Sequence, residues 1–459
     1  MSNAPTPTAR SAGMNGRLSQ CIRVIAAIGA ATWLFGDTLR HYIDRADSDD
    51  AIRFAYWGGY EDHVLWTEVV EAFHRHEPTI RIRQEWLPLS GYLAKIDQQL
   101  VAGAAPDVFM FQDEPFPRYA ESQFLNLDPL FTADNEAAGC LDDCWPTAVA
   151  SFRDGAGAMR GAPLHGGNVL IYCNPDAFER ASRFHHRTIA LPEDDWTLDE
   201  FVATCRDLTI DENGDGEPEQ FGLLQPHWVY YLPFIWSHGA ALLDESHSHW
   251  TLTGPAAVAA FQFYADLRHR HHVTPSPMEY AGQNSDSAFL SGRVAMCVNG
   301  PWYMPYLNET HLRDRYRVVG IPSGAAPSRT RVTWDALCVN AAIDTATREK
   351  AWRFVRFTLS DEAQTIFARR QRAIPARRAI GERFIAFGGG PASPAAAFID
   401  AMATARMQPI TKDWLPMDAV VRRHLLSVIP DGAARRSAEA AVDALANERV
   451  IRETFGGGE

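Results

Sequence analysis

The sequence of 459 residues has little cysteine, no excess of basic charge and few long apolar runs. Seven cysteines stand at 21, 140, 144, 173, 205, 297 and 338. That is too sparse for a fold held by disulfides. No C-x-x-C or H-E-x-x-H pattern occurs, which argues against a structural zinc site. Nor is there a G-x-S-x-G motif for a serine nucleophile. Lys and Arg total 43 against 57 Asp and Glu, a net charge of −14. An electrostatic nucleic-acid binder needs a basic face, so that class is excluded as a main activity. Internal repeats and low-complexity tracts are also missing.

What is present is an ordinary globular composition, with 46% hydrophobic and 22% charged residues. The length exceeds what one small core needs and points to two or more lobes. Thirteen tryptophans are many. Most belong in cores, but an aromatic-lined cleft would use some.

Met1 to Asp50 reads as targeting. Val24–Gly36 (VIAAIGAATWLFG) is apolar and uncharged, with Arg17 and Arg23 before it. It has the length of a signal-peptide core and is short of the about 20 residues a membrane span requires. No clean A-x-A cleavage site follows, and Cys21 lies before the run, so it is no lipobox cysteine. A cleaved signal and an uncleaved anchor both fit, with Met1 or Met14 as the start. In either case the chain from about Ile52 is expected outside the cytoplasm, periplasmic or extracytoplasmic. Cys140 and Cys144 fit either one local disulfide or two free thiols. The remaining cysteines sit in apolar runs and read as buried small hydrophobes.

From Ile52 the periodicity predicts a strand over 52–57, a helix over 61–76, a strand over 80–86, a helix over 92–102 and a strand over 107–111. This βαβαβ order implies a parallel sheet, with ligands at the carboxyl ends of its strands. Further strands are predicted at 169–173, 293–299, 316–320 and 336–339. Helices are predicted at 198–208, 255–270, 348–359 and 362–370, and the C-terminal part is helical. Thr197 with Glu200 three residues on is a capping-box signature.

Several blocks together resemble extracellular solute-binding proteins of carbohydrate ABC importers, the maltose-binding-like group. They are FAYWGG at 54–59, LVAGAAPDVFMFQDEPFPRYAESQFLNLDPL at 100–130 and APLHGGNVLIYCN at 162–174. WTLDEFVATCRDLT at 196–209, FLSGRVAMCVNGPW at 289–302 and EKAWRFVRFTLSDEAQ at 349–364 follow in the same order. The resemblance spans about Ile52 to Phe455. It implies an α/β fold of two lobes, each a mainly parallel sheet flanked by helices, closing like a hinge. Lobe one would hold about 51–160 and 331–387, and lobe two about 161–330 and 388–459, with crossings near Gly161, Arg331 and Gly388. It also implies a monomer that captures a sugar or polyol and delivers it to the membrane permease subunits of the transporter.

A sugar offers flat apolar faces and a rim of hydroxyls, so its site needs aromatic plates and planar polar groups. At strand ends these candidates are Trp57 with Gly58 and Gly59, then Phe111, Gln112, Asp113 and Glu114, then His165 and Asn168. The glycines would let backbone amides approach a hydroxyl. From the aromatic cluster HWVYYLPFIW, Trp228 and Tyr231 are assigned to the site and Trp236 to the core. The resemblance adds Trp302, after its Gly-x-Trp block, Trp334 and Asp335 at the second crossing, and Trp414 in the C-terminal region. The pair Tyr230–Tyr231 alone is weak support for iron.

The loop with Asp211, Asn213, Asp215 and Glu217 has the start of a calcium loop, but position twelve is Gly222. A polar turn is the plainer reading, and no cofactor is otherwise expected. The rival classes are a secreted glycoside hydrolase and a receptor-coupled sugar sensor. The hydrolase needs two carboxyls facing each other across the bond; the adjacent pair Asp113 and Glu114 would point apart. The chain therefore reads as a binder, not an enzyme.

Overall fold

The computed structural model describes residues 50–226, 228–276, 285–430, 432 and 435–456. The proposed targeting run Val24–Gly36 lies outside them. Among the described residues no helix is long and apolar enough to cross a membrane.

Eleven strands are present among the described residues: β1 (Ile52–Trp57), β2 (Ile82–Leu87), β3 (Val108–Gln112), β4 (Ala162–Asn168), β5 (Leu170–Cys173), β6 (Phe221–Leu223), β7 (Val294–Asn299), β8 (Arg317–Val319), β9 (Thr330–Val339), β10 (Ile374–Pro375) and β11 (Ala405–Met407). They form two sheets. The first has the order β10-β4-β9-β3-β1-β2, with β11 on the start of β9; the second has the order β6-β7-β5-β8. The expected βαβαβ opening is present, since β1 pairs in parallel with both β2 and β3. The connecting helix Tyr60–His76 buries Leu65, Trp66, Val69, Val70, Ala72 and Phe73 at helical spacing. Thr197 and Glu200 form the expected capping box at the start of helix Leu198–Leu208.

The sheets are less parallel than expected. β9 runs antiparallel to β3 and β4, and β5 runs antiparallel to β7 and β8. The cause is connectivity. β3 runs out toward the second sheet, whereas β9 arrives from it, so the two must run in opposite directions. β9 is also much longer than the 336–339 segment that its apolar residues suggest. Its first half carries Arg331, Thr333 and Asp335, which lack the apolar pattern of a core strand, yet Arg331 and Thr333 are buried.

There are two hydrophobic cores, the first of which also takes in Tyr172, Phe221 and Val294 of the smaller sheet. The first gathers Phe54, Trp66, Phe109, Trp334 and Phe354 around the larger sheet. The second gathers Phe201, Tyr264, Met296, Trp414 and Leu445, so the C-terminal helices Trp414–Leu426, Ala438–Ala446 and Arg449–Phe455 pack on the smaller sheet. Trp236 lies in that second core, as expected. The chain leaves the first sheet after Asn168, not near Gly161, because β4 pairs with β9 along most of its length. It returns at Thr330, close to the expected Arg331. The last passage falls after Met407 and not at Gly388, because β11 still pairs with β9.

Of the two alternatives for Cys140 and Cys144, the structure has free thiols. All six described cysteines are free. The Cys144 thiol instead donates to the Cys140 carbonyl at 3.3 Å.

The pairing of β4 with β9 depends on Gly166. A Cβ there would lie 2.3 Å from the Thr333 carbonyl and 2.4 Å from the Trp334 ring. Neither backbone nor a fully buried indole yields easily. We expect Gly166→Ala to destabilise the protein by about 1–3 kcal/mol, as overpacking does. Equilibrium urea unfolding checks this; a loss below about 0.5 kcal/mol, the surface-substitution range, would show that the strand pair opens without resistance.

Candidate functional site

β1 and β3 end side by side at the edge of the first sheet that faces the second. Between them and helix Leu89–Val101 lies a cavity of about 290 Å³. Trp57, Tyr92, Phe111, Gln112, Glu114 and Leu415 are among its walls. Leu415 packs against the second core, so both cores contribute to the cavity walls. Trp57 meets Tyr92 edge to face at 5.0 Å. The Tyr92 hydroxyl donates to the Met110 carbonyl at 2.8 Å, which fixes that ring. The walls therefore combine rigid aromatic surface with an amide and a carboxyl.

Behind the cavity lies a buried polar cluster. Arg331 is fully buried. Its guanidinium pairs with Glu114, and its Nε donates to Gln408 Oε1 at 3.1 Å. Asp113 accepts from Thr333 Oγ1 at 2.8 Å and from the Trp334 amide at 3.1 Å. Asp418 accepts from the Tyr231 hydroxyl at 2.9 Å and from Arg422 Nε at 2.8 Å. Burial pushes the Glu114 carboxyl up to about 7, against the pull of Arg331, and the charges of Asp113 and Asp418 add to the rise. Burial likewise raises Asp113 and Asp418.

A second cluster sits where β4 and β9 pair. His165 Nδ1 lies 3.4 Å from Asp335 Oδ2. Burial, helped by the Arg372 charge, drives the His165 imidazole down to about 3. Burial, helped by Asp113, raises Asp335 well above the usual carboxylate range. Burial thus disfavours the charged form of both groups. Arg372 itself pairs with Asp62 at 2.7 Å.

The sequence candidates divide sharply. Trp57, Phe111, Gln112 and Glu114 line the cavity, with Asp113 directly behind. Gly59 does not offer its amide, because that N–H donates to Asp62 Oδ2 at 2.8 Å. Gly58 is required for a different reason: its φ of +147° suits glycine, and a Cβ would collide with Asp62 at 2.3 Å. Trp334 has no exposed surface and its Nε1 donates to Thr147, so it is a core residue of the first lobe. Trp414 is equally buried in the second core; its neighbour Leu415 reaches the cavity instead. Tyr231 is buried with its hydroxyl on Asp418. Asn168 is buried too, and its Nδ2 donates to the Phe398 carbonyl at 2.8 Å. Trp302 packs on the second core and over Gly300; a Cβ at Gly167 of β4 would lie 3.3 Å from its ring. Trp228 opens the short helical turn Trp228–Tyr231, but its side chain lies outside the described residues.

Sequence reasoning missed Tyr92, Arg331, Gln408 and Asp418. Tyr92 registered only as a helix residue, and the other three become a set only in three dimensions. In the second lobe, Gln225 stands two residues past β6. Among the described residues both its amide atoms are buried without a hydrogen-bond partner. In the Asp211 loop the side chains make turn hydrogen bonds. Asp211 accepts from the Gly214 and Gly216 amides at 2.7 and 2.8 Å, and Asp215 from the Glu217 amide at 2.8 Å. Among the described residues no group of three or more His, Cys, Asp or Glu is placed to hold a metal ion.

The Glu114 environment has a pH signature. A carboxyl raised from 4.5 to about 7 contributes stability that is fully present below about pH 4.5 and lost as pH rises through 7. His165 acts oppositely, because its depressed pKa favours folding as pH rises from about 3 toward its ordinary 6.5. The comparison of parent with Glu114→Gln isolates the first effect. The stability difference between them should shift against the parent as pH climbs from 4.5 to 7. Parallel melting curves for both proteins across that window would contradict the assignment.

Residues 68–383 match the family described as bacterial extracellular solute-binding protein. A curated relative, the maltotriose-binding protein of Pyrococcus abyssi, is 24% identical over 275 residues, 57% of this chain. That alignment spans about half (52%) of the relative's length. Among solved structures, an ABC substrate-binding protein of Listeria monocytogenes in complex with cycloalternan aligns with TM-score 0.77 and 21% identity, covering 88% of this chain and 99% of the other. The GacH receptor of Streptomyces glaucescens, solved unliganded and with acarbose, aligns with TM-score 0.74 and 20% identity over 88% and 98% of the two chains. The maltotriose-binding protein of Thermus thermophilus gives TM-score 0.70 and 18% identity over 88% and 100%. These likenesses establish the two-lobe fold, and with the family match over most of its length, this chain belongs to the bacterial extracellular solute-binding proteins.

Proposed function

We propose that this protein is the carbohydrate-binding component of an ABC import system. The observation that carries the reading is the cavity between the two cores, with the rings of Trp57, Tyr92 and Phe111 beside the polar ends of Gln112 and Glu114. Aromatic surface takes the apolar face of a sugar ring, and the amide and carboxyl take its hydroxyls. The relatives named above are described as bound to, or binding, cycloalternan, acarbose and maltotriose, all oligosaccharides or their analogues.

Capture proceeds by lobe closure. The sugar binds groups from both lobes and stabilises the closed form by its differential affinity for that form. The closed monomer then docks on the membrane permease and releases the sugar. Residues 1–50 serve export, as a cleaved signal or as an anchor that keeps the protein beside its permease. No chemical step is required, and the carboxyls nearest the cavity are already committed, Asp113 to Thr333 and Glu114 to Arg331.

A thermal-shift screen against mono- and oligosaccharides tests this. Ligand at about 100 times its dissociation constant adds about 2.7 kcal/mol and should raise the melting temperature. The sugar should be recovered intact. Trp57→Ala should weaken binding about tenfold or more, through lost ring contact and buried area. No shift with any carbohydrate, or a Trp57→Ala variant that binds as tightly as the parent, would remove the reading. A sugar recovered cleaved would replace it with a hydrolase.

A further inference from the structure

Large apolar side chains are rarely left exposed among the described residues, yet three of those that are, Tyr60, Trp86 and Leu89, gather at the carboxyl ends of β1 and β2. Trp86 is 41% exposed but is not free to turn. One face stacks on His63, with ring centres 4.7 Å apart and planes within 7°. Its Nε1 donates to the Gly58 carbonyl at 2.8 Å. His63 is held in turn, with Nδ1 2.7 Å from the Tyr56 hydroxyl. That hydroxyl donates to Gln84 Oε1 at 2.9 Å, so the proton between His63 and Tyr56 sits on the imidazole. Tyr56 is fully buried. A chain of contacts from the core thus fixes one indole flat, with its second face toward solvent.

Fixing an exposed, rotatable side chain costs conformational entropy that a bare surface has no reason to spend. The plate is also continuous with the cavity. Gly58, which anchors the Trp86 nitrogen, directly follows the cavity residue Trp57, and Leu89 belongs both to the exposed group and to the cavity wall.

We infer that Trp86, backed by His63, is an outer stacking platform for a sugar ring beyond the one held in the cavity, so that the ligand is an oligosaccharide. The inference rests on the carbohydrate reading above and narrows it. A single ring in the cavity leaves the outer plate empty, whereas a linear chain of rings engages both.

The test is calorimetric titration with glucose, maltose, maltotriose, maltotetraose and maltopentaose. Parent, Trp86→Ala, Trp86→Phe, His63→Ala and Trp57→Ala proteins are compared. In the parent, affinity should rise about tenfold at one step of chain lengthening, the size of one good ring contact. Trp86→Ala should lose that step and keep the parent's affinity for the shorter ligand. Trp86→Phe should recover part of it. His63→Ala, which leaves the indole in place but unbacked, should lose part. Trp57→Ala should weaken every length alike.

A Trp86→Ala protein with the parent's length profile overturns the platform and leaves the carbohydrate reading intact. So does a parent that binds glucose but gains nothing from added units. A parent that binds none of these sugars, nor any in the wider screen, removes the carbohydrate reading and the platform with it.

Discussion

A guanidinium with no solvent around it organises this protein. Removing a charge from water costs several kcal/mol unless partners replace the lost hydration. Arg331 obtains them from Glu114, just past β3, and from Gln408, just past β11. Three separate stretches of chain therefore have to meet where β9 enters the first sheet. The same contact holds Glu114 at the wall of the cavity. Loss of any one partner would strand a buried charge, so the cavity wall and the lobe junction are positioned by one electrostatic demand.

Around that point, burial rather than sequence proximity decides what each acidic group does. Asp113 and Glu114 are neighbours, yet one is spent on Thr333 and the Trp334 amide and the other on a cation. Asp335 and His165, 3.4 Å apart across a strand pair, both have their charged forms disfavoured by burial. Neutral buried groups avoid the desolvation penalty and keep their hydrogen-bonding capacity.

Much of the fold was legible because the opening βαβαβ segment has clean periodicities and because Thr197 and Glu200 spell a cap. Trp57, Phe111, Gln112 and Glu114 were legible as cavity-lining residues by a simple rule, that ligands sit at the carboxyl ends of parallel strands. The resemblance placed Trp334 and Trp414 in the site, but both are buried in the cores. A tryptophan near a lobe crossing looks the same in sequence whether it faces the cleft or the core. β9 was read short because its charged and polar residues are buried by partners more than 70 residues away in sequence, as Arg331 is by Gln408 and Glu114. Trp86 was hidden differently. Its strand was read correctly, but exposure and a stacked histidine leave no mark on a strand's alternation. The crossings near Gly161 and Gly388 were misplaced because glycine marks a turn, whereas the passages are set by which strand β9 can pair.

The two sheets are joined at β4 and β5 by one residue, Val169. Its amide lies 3.1 Å from the Arg331 carbonyl and 3.1 Å from Thr330 Oγ1, and that hydroxyl donates back to the Val169 carbonyl at 2.5 Å. The outgoing and returning strands thus pass between the lobes as a laterally bonded ribbon. A ribbon flexes across its flat side and resists swivel and shear. Relative motion of the lobes is accordingly confined to nearly one angle. A search along one coordinate is short, and little orientational freedom is left to surrender when the lobes meet.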